Sequence, residues 1–213
     1  MCHDSWILNE SENKITEENI CHKMFKIIMK CALTIIWNGF KLLRFNGIAF
    51  PFYIKKGLEV HNPSKIRIGS NVTIGRYGRL SCYGTSWDSI LSIEDNVYIG
   101  QFFSAISGGR IRVGRNTLIA SYVAIISENH GMNPECGLRY GLQPLIEKKV
   151  EIGENCWIGE KTVILPGVTI GDWCIIGASS VVRTDIPAYS IAAGNPAKIL
   201  KQYNFNTCKW ERV

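Results

Sequence analysis

Aliphatic residues return every six positions over most of the chain. Ile68, Ile74 and Leu80 form a first run, Ile93 and Ile99 a second, and Val113, Ile119 and Ile125 a third. The longest run passes without a slip through Ile152, Ile158, Ile164, Ile170, Ile176 and Val182. Six is neither the 3.6-residue period of a helix nor the alternation of a single strand. It marks one small structural unit used many times. Glycine follows the aliphatic residue at Gly69, Gly75, Gly100, Gly114, Gly153, Gly159, Gly171 and Gly177. Four positions after the aliphatic residue the side chain is small or β-branched, as at Val72, Val97, Thr117, Val123, Cys156, Thr162, Val168, Cys174 and Ser180.

The pattern predicts a coil of short strands joined by corners. Glycine eases the dihedral limits at corners and permits close backbone approach. Three hexapeptides close one triangular turn of 18 residues, so Ile152 stacks on Ile170, Ile158 on Ile176 and Ile164 on Val182. Stacked strands then lie about 4.8 Å apart, and neighbouring coils supply each other's core. Cys156 and Cys174 are one coil apart at the same inward position. They are expected as buried thiols rather than metal ligands.

The rhythm breaks between Ile125 and Ile152, a gap read as one coil plus nine residues. The excess falls in a Pro-, Gly- and Asn-rich loop at about residues 127–147, and a loop ejected from a rigid coil is where function concentrates. His130 is the only histidine within the repeats. After Val182, Pro187 and Pro196 end the regular coil. Lys198 and Lys201 stand at an expected helix start, suited to an anion. The expected organisation is an N-terminal helical or irregular region over 1–60, a repeat coil over 61–198, and a short C-terminal helix and tail over 199–213.

Residues 1 to about 20 are polar and acidic and read as a frayed terminus or a short helix. Residues 20–46 mix Lys23, Lys26, Lys30, Lys41 and Arg44 with Met24, Phe25, Ile27, Ile28, Leu33, Ile35, Ile36 and Trp37. This is a helical stretch, interrupted at Asn38–Gly39, and its apolar run is too short to span a bilayer. It either lies on a membrane surface or packs on the rest of the protein or on a second subunit; the packing reading is preferred.

Composition narrows the classes. Of 213 residues, 46% are hydrophobic and 20% charged, ordinary for a folded protein. The net charge of +6 comes from dispersed Lys and Arg, which argues against nucleic acid as a partner and suits a nucleotide phosphate. The eight cysteines form no C-x-x-C pair and the N-terminus does not read as a signal peptide. Reduced thiols in the cytoplasm are expected.

The repeat, the loop histidine and the segment Ala192-Ala193-Gly194-Asn195-Pro196-Ala197-Lys198 together resemble the hexapeptide-repeat acyltransferases. So do Val150–Gly159 and Ile164–Gly171. The likeness spans roughly residues 60–203 and lies nearest to sugar O-acetyltransferases of the maltose and galactoside type and of capsule or lipopolysaccharide clusters. It implies a mainly β fold, the left-handed parallel β-helix, and it alone implies the handedness. It also implies a homotrimer with sites between subunits, acetyl-CoA as donor, and no metal. His130 matches the family's catalytic histidine. By family position Gly159, Glu160, Ala178, Arg183, Lys198 and Lys201 bind the donor, while Asn129 and Trp157 line the acceptor or thioester region. Many polysaccharide-linked relatives carry a second histidine where this chain has Glu128, which either orients an imidazole or is a solvated loop acid; the solvated reading is preferred.

The resemblance implies acetyl transfer to a hydroxyl of a sugar or bacterial surface-glycan precursor, in the cytoplasm or at the inner face of the membrane. Histidine titrates near neutrality and suits withdrawal of the hydroxyl proton. Cys136, in the same loop, is the rival nucleophile, but no second histidine of the repeats is there to activate it. An N-acyltransferase acting on an amino sugar shares fold and donor. A non-enzymatic β-helix scaffold needs neither His130 nor the basic tail. A zinc enzyme of carbonic-anhydrase type needs three histidines, and the repeats offer one.

Overall fold

The computed structural model describes residues 17–38, 44–84 and 89–213. The expectations for residues 1–16 and for 39–43 lie outside these. From Gly47 onward the chain winds as a three-sided parallel coil. The first face stacks Gly47–Ile48, Ile66–Ile68, Leu91–Ile93, Ile111–Val113, Val150–Ile152 and Thr169–Ile170. The second stacks Phe52–Ile54, Val72–Ile74, Tyr98–Ile99, Leu118–Ile119, Trp157–Ile158 and Ile175–Ile176. The third stacks Glu59–His61, Arg79–Cys82, Ser104–Ser107, Ala124–Ile126, Val163–Ile164 and Val181–Val182. The coil thus begins ahead of residue 61, because Gly47–Ile48, Phe52–Ile54 and Glu59–His61 already pair with the coil beyond; it therefore includes His61, and His130 is not the only histidine of the coils as the sequence reading had it.

Register follows the sequence ladder. Ile152 pairs with Ile170, Ile158 with Ile176 and Ile164 with Val182. The aliphatic positions are buried in one continuous core, and so is every small or β-branched residue four positions later. The step from the first face to the second, and from the second to the third, is six residues in every coil, as in Ile68, Ile74 and Leu80. Only the edge from the third face back to the first varies. There Leu80 and Ile93 are 13 residues apart, and Ile125 and Ile152 are 27 apart. Since six residues make that step in a regular coil, the large excursion exceeds the nine-residue excess read from the sequence.

The corners divide two tasks that the sequence reading gave to glycine. Left-handed φ falls on Asn71, Asn96, Asn116, Asn155 and Trp173 at one corner and on Tyr77, Phe102, Tyr122, Lys161 and Ser179 at the next. Asparagine tolerates this region best among side-chain-bearing residues. Its amides also link coil to coil, Asn71 to Asn96 at 2.9 Å, Asn96 to Asn116 at 3.1 Å and Asn116 to Asn155 at 3.2 Å. Tyr77, Phe102 and Tyr122 stack their rings at centroid distances of 5.4 and 4.9 Å. The glycine after each aliphatic residue serves close approach. A Cβ on Gly100 would lie 2.5 Å from the Ser121 nitrogen, and one on Gly159 2.5 Å from the Ala178 nitrogen.

Each end of the coil is closed differently. The helix Glu17–Asn38 packs on Phe52–Ile54 through Cys31 and Thr34, whose Oγ accepts from the Ile54 nitrogen at 3.0 Å. At the other end the expected C-terminal helix is absent. Ser190–Gly194, Ala197–Asn204 and Lys209–Arg212 form an antiparallel meander that extends the second face. The last coil leaves a sheet edge with unpaired backbone groups, and pairing it outweighs the weak local preference for helix. Gly194, at φ +107°, turns the chain, and the Asn204 side chain closes the second turn by accepting from Asn206 N at 2.9 Å.

Cys31, Cys82, Cys136, Cys156 and Cys174 are free. The expectation of reduced thiols fails at Cys208, which is disulfide-bonded. Cys156 and Cys174 are buried as expected, each donating to a carbonyl one coil on, Gly171 and Pro187 respectively, at 3.1 Å. Burial pushes the Cys156 thiol up to about 12.

Two outcomes follow from this packing. Gly100→Ala forces a Cβ into backbone and is expected to cost about 3 kcal/mol. Gly141→Ala, with nothing within 4 Å of the added carbon, stays within about 0.5 kcal/mol of wild type; denaturant unfolding of both measures the contrast. Alkylation of native protein at pH 8, followed by peptide mapping, should label exposed Cys136 and leave Cys156 and Cys174 protected until unfolding.

Candidate active site

The excursion from Ser127 to Lys149 is an ordered arm. Its neck is a short antiparallel ladder in which Glu128 faces Glu147 and Asn129 faces Ile146. Its interior is held by Gln143, a residue that the sequence pattern did not single out. The Gln143 amide donates to Asn133 O and to Leu138 O, both at 2.9 Å, and its oxygen accepts from Asn133 N at 3.0 Å. Gly131 lies so close that a Cβ there would meet the Gln143 side chain at 2.7 Å. Gln143 is buried, while Met132, Leu138, Tyr140 and Leu142 are exposed.

His130 stands exposed just beyond the neck. Glu128, two residues earlier, is not the solvated acid expected from the sequence. Its Oε2 is buried without a hydrogen-bond partner among the described residues, and so is the Ser127 hydroxyl. The carboxylate packs against Gly108 of the preceding coil, where a Cβ would meet the Glu128 Cβ at 2.6 Å. Burial first, and the Glu147 charge second, push the Glu128 carboxyl above the usual carboxylate range, while His130 and Arg79 draw it back. The sequence signal was Gly108 one coil upstream, which clears room for this side chain.

The other expected site residues fall into separate groups. Gly159 and Glu160 occupy the corner between the second and third faces, and Ala178 follows at the same corner one coil on. Gly159 N donates to Ile176 O at 2.8 Å and Ser179 N donates to Glu160 O at 2.7 Å. Lys198 continues this column, because it pairs with Ala193, which stacks on Gly177. Lys201 pairs with Ile191 further along the same meander. Arg183 is exposed after the last strand of the third face, away from that corner. Asn129 lies in the neck beside His130.

Trp157 sits in an outward row of the second face, in register with Leu118 and, through it, Tyr98; all three are exposed. In a three-sided coil the second face lies opposite the edge from which the excursion departs. The chain therefore brings His130, Asn129 and Glu128 together, and separately Gly159, Glu160, Ala178 and Lys198, with Trp157 across the coil from His130. Cys136 Sγ lies 3.1 Å from Asn133 O, and among the described residues no imidazole bonds to it. No cluster of three or more metal-binding side chains occurs among the described residues.

The raised Glu128 carboxyl has a measurable consequence. A carboxyl whose value rises on folding carries no penalty while protonated. The cost appears as pH climbs past the ordinary carboxylate value and is complete above the folded one. Glu128→Gln cannot ionise, so its melting temperature relative to wild type should climb between pH 4 and 8. A difference that stays constant over that range contradicts the burial of this charge.

Comparison with known proteins adds to the geometry. The family described as bacterial transferase hexapeptide (six repeats) matches residues 149–184. WbbJ of Escherichia coli K12, a candidate lipopolysaccharide biosynthesis O-acetyl transferase, is 36% identical over 172 residues, covering 78% of this chain and 83% of its own. Among solved structures, a variant of AntD, an N-acyltransferase from Bacillus cereus in complex with dTDP-4-amino-4,6-dideoxyglucose and coenzyme A, superposes with a TM-score of 0.62 at 22% identity, over 78% of this chain and 88% of its own. The hexapeptide-repeat acetyltransferase VCA0836 from Vibrio cholerae, complexed with acetyl coenzyme A, superposes with a TM-score of 0.59 at 20% identity, over 89% and 91% of the two chains. By its repeats, its coil and its relative in Escherichia coli, the chain belongs to the hexapeptide-repeat acetyltransferases and folds as their left-handed parallel β-helix.

Proposed function

We propose that the protein transfers acetyl from acetyl-CoA to a hydroxyl of a sugar or bacterial surface-glycan precursor, with His130 as general base. The observation that carries the reading is the placement of His130: exposed, at the base of an arm ordered by Gln143, beside a carboxylate held by the coil. His130 withdraws the hydroxyl proton as the oxygen attacks the thioester carbon. A backbone N–H stabilises the tetrahedral oxyanion. The C–S bond then breaks, and the imidazolium returns its proton to the departing thiolate. No acyl-enzyme is needed, and among the described residues no base bonds to Cys136 to make it a nucleophile.

The site is completed by a second copy of the chain within a homotrimer. The outer side of the first face carries Arg67, Arg112 and Glu151, whereas the second carries Tyr98, Leu118 and Trp157. The outer third face offers Ala124, Ile126 and Val163, and the arm departs directly from it. Packing the second face of one copy on the third face of the next covers these apolar positions and the exposed arm. It also sets one copy's Trp157 beside the other's His130. Gly159, Glu160 and Ala178 then present backbone along the pantetheine arm, and Lys198 and Lys201 present charge for the nucleotide phosphates, while Arg183, on another edge, takes no part in that group. A C3 ring uses two different patches in this way. We place the reaction in the cytoplasm, where acetyl-CoA is available.

N-acyl transfer to an amino sugar is the second reading, favoured by the fold shared with AntD. Thiol release from acetyl-CoA across a panel of sugars, amino sugars and glycan fragments separates the two. Release that depends on a hydroxyl acceptor and falls about 10²–10⁴-fold in His130→Ala supports the proposal. Undiminished release by His130→Ala removes His130 from catalysis.

A further inference from the structure

Residues 22–30 of the helix Glu17–Asn38 are exposed on every side, and among the described side chains beyond them Cys31 and Thr34 are the ones buried against the coil. Much of that exposure is apolar. Met24 is 57% exposed, Phe25 61%, Ile28 57% and Ile35 58%. At about 100° per residue, Met24, Ile28 and Ile35 line one stripe with Phe25 beside it. Lys23, Lys26 and Lys30 line a second stripe on the opposite side. No acid occurs between His22 and Ile35. Among the described residues no carboxylate pairs with these lysines. Lys30 lies 5.7 Å from the Tyr53 ring centroid, which steadies its charge without neutralising it.

The same end of the coil adds to the surface. Phe50, 65% exposed, precedes the strand Phe52–Ile54 on which the helix packs, and Lys55 and Lys56 follow that strand. No described helix is long and apolar enough to cross a membrane. A helix this exposed lacks the tertiary packing that holds most helices in water. Its occupant must accept an apolar stripe and supply negative charge around it. A second copy across a two-fold axis answers the first need and fails the second, because it would bring like lysines together; a neighbour in a three-fold ring is again a chain of net charge +6 and supplies no excess of negative charge.

We propose that this helix docks in the plane of an anionic lipid surface, its Met24–Ile28–Ile35 stripe among the acyl chains and its lysines at the headgroups. The inference rests on the helix alone and is independent of the acetyltransferase reading. The test is co-sedimentation of the full-length protein with vesicles of phosphatidylcholine, with and without phosphatidylglycerol. Binding is expected only to the phosphatidylglycerol vesicles, with release by 0.5 M salt. A Lys23→Gln, Lys26→Gln, Lys30→Gln triple variant should bind at least about tenfold more weakly, and Ile28→Glu should bind no better than the triple. Both variants should keep the wild-type melting temperature and sedimentation coefficient without lipid. Absence of binding, or equal binding to both vesicle types, overturns the proposal. So does a change of oligomeric state in Ile28→Glu, which would assign the stripe to a second copy.

Discussion

Wherever one coil starts its turn from a strand into a corner, its backbone lies so near the next coil that no β-carbon fits between them. Gly75, Gly100, Gly114, Gly153, Gly159 and Gly171 all stand at such contacts. That approach fixes the phase of the winding. With the coils at ladder distance, each aliphatic residue must land over its equivalent, and any slip would turn core positions outward. Two of the three steps in each coil therefore hold six residues throughout, and variation is confined to the third edge.

The confinement explains where chemistry sits. The edge that tolerates insertion receives the arm, and the rigid coil beneath it sets the arm's direction. Gly108 provides the recess into which Glu128 packs, and Gln143 ties the arm to itself. His130 is therefore held by contacts that originate in the coil and not by the arm alone. The corner proposed to bind the donor is formed by different strands on another edge. In the proposed account the two halves meet only when copies of the chain pack face to face, so assembly and catalysis depend on the same apolar surfaces.

Much of this was legible in the residue pattern. The period of six gave the coil, the pairing register and the buried thiols, because each follows from one residue landing inward at every turn. The excursion and its histidine were visible as a break in the period. Its true size was not, since the arithmetic treated the gap as a whole coil when Ile125 and Ile152 are consecutive rungs. The C-terminal hairpin was misread because local helix preference around Lys198–Lys201 says nothing of the open sheet edge that the last coil presents. The burial of Glu128 was hidden for a similar reason: it depends on Gly108, twenty residues earlier and adjacent only once the coil is wound. The left-handed corners at Asn71, Asn96, Asn116 and Asn155 were in view as asparagines but were credited to the glycines.

The central claim is that a complete site draws His130 from one copy and Trp157 from another. His130→Ala and Trp157→Ala chains carrying different affinity tags can be co-expressed and the mixed assemblies isolated through both tags. If sites form between copies, mixed assemblies should recover about a third of wild-type acetyl transfer, because every ring that holds both chains keeps both residues intact at one of its three sites. Activity equal to the average of the two variants alone would mean that each chain holds a whole site, and would contradict the account.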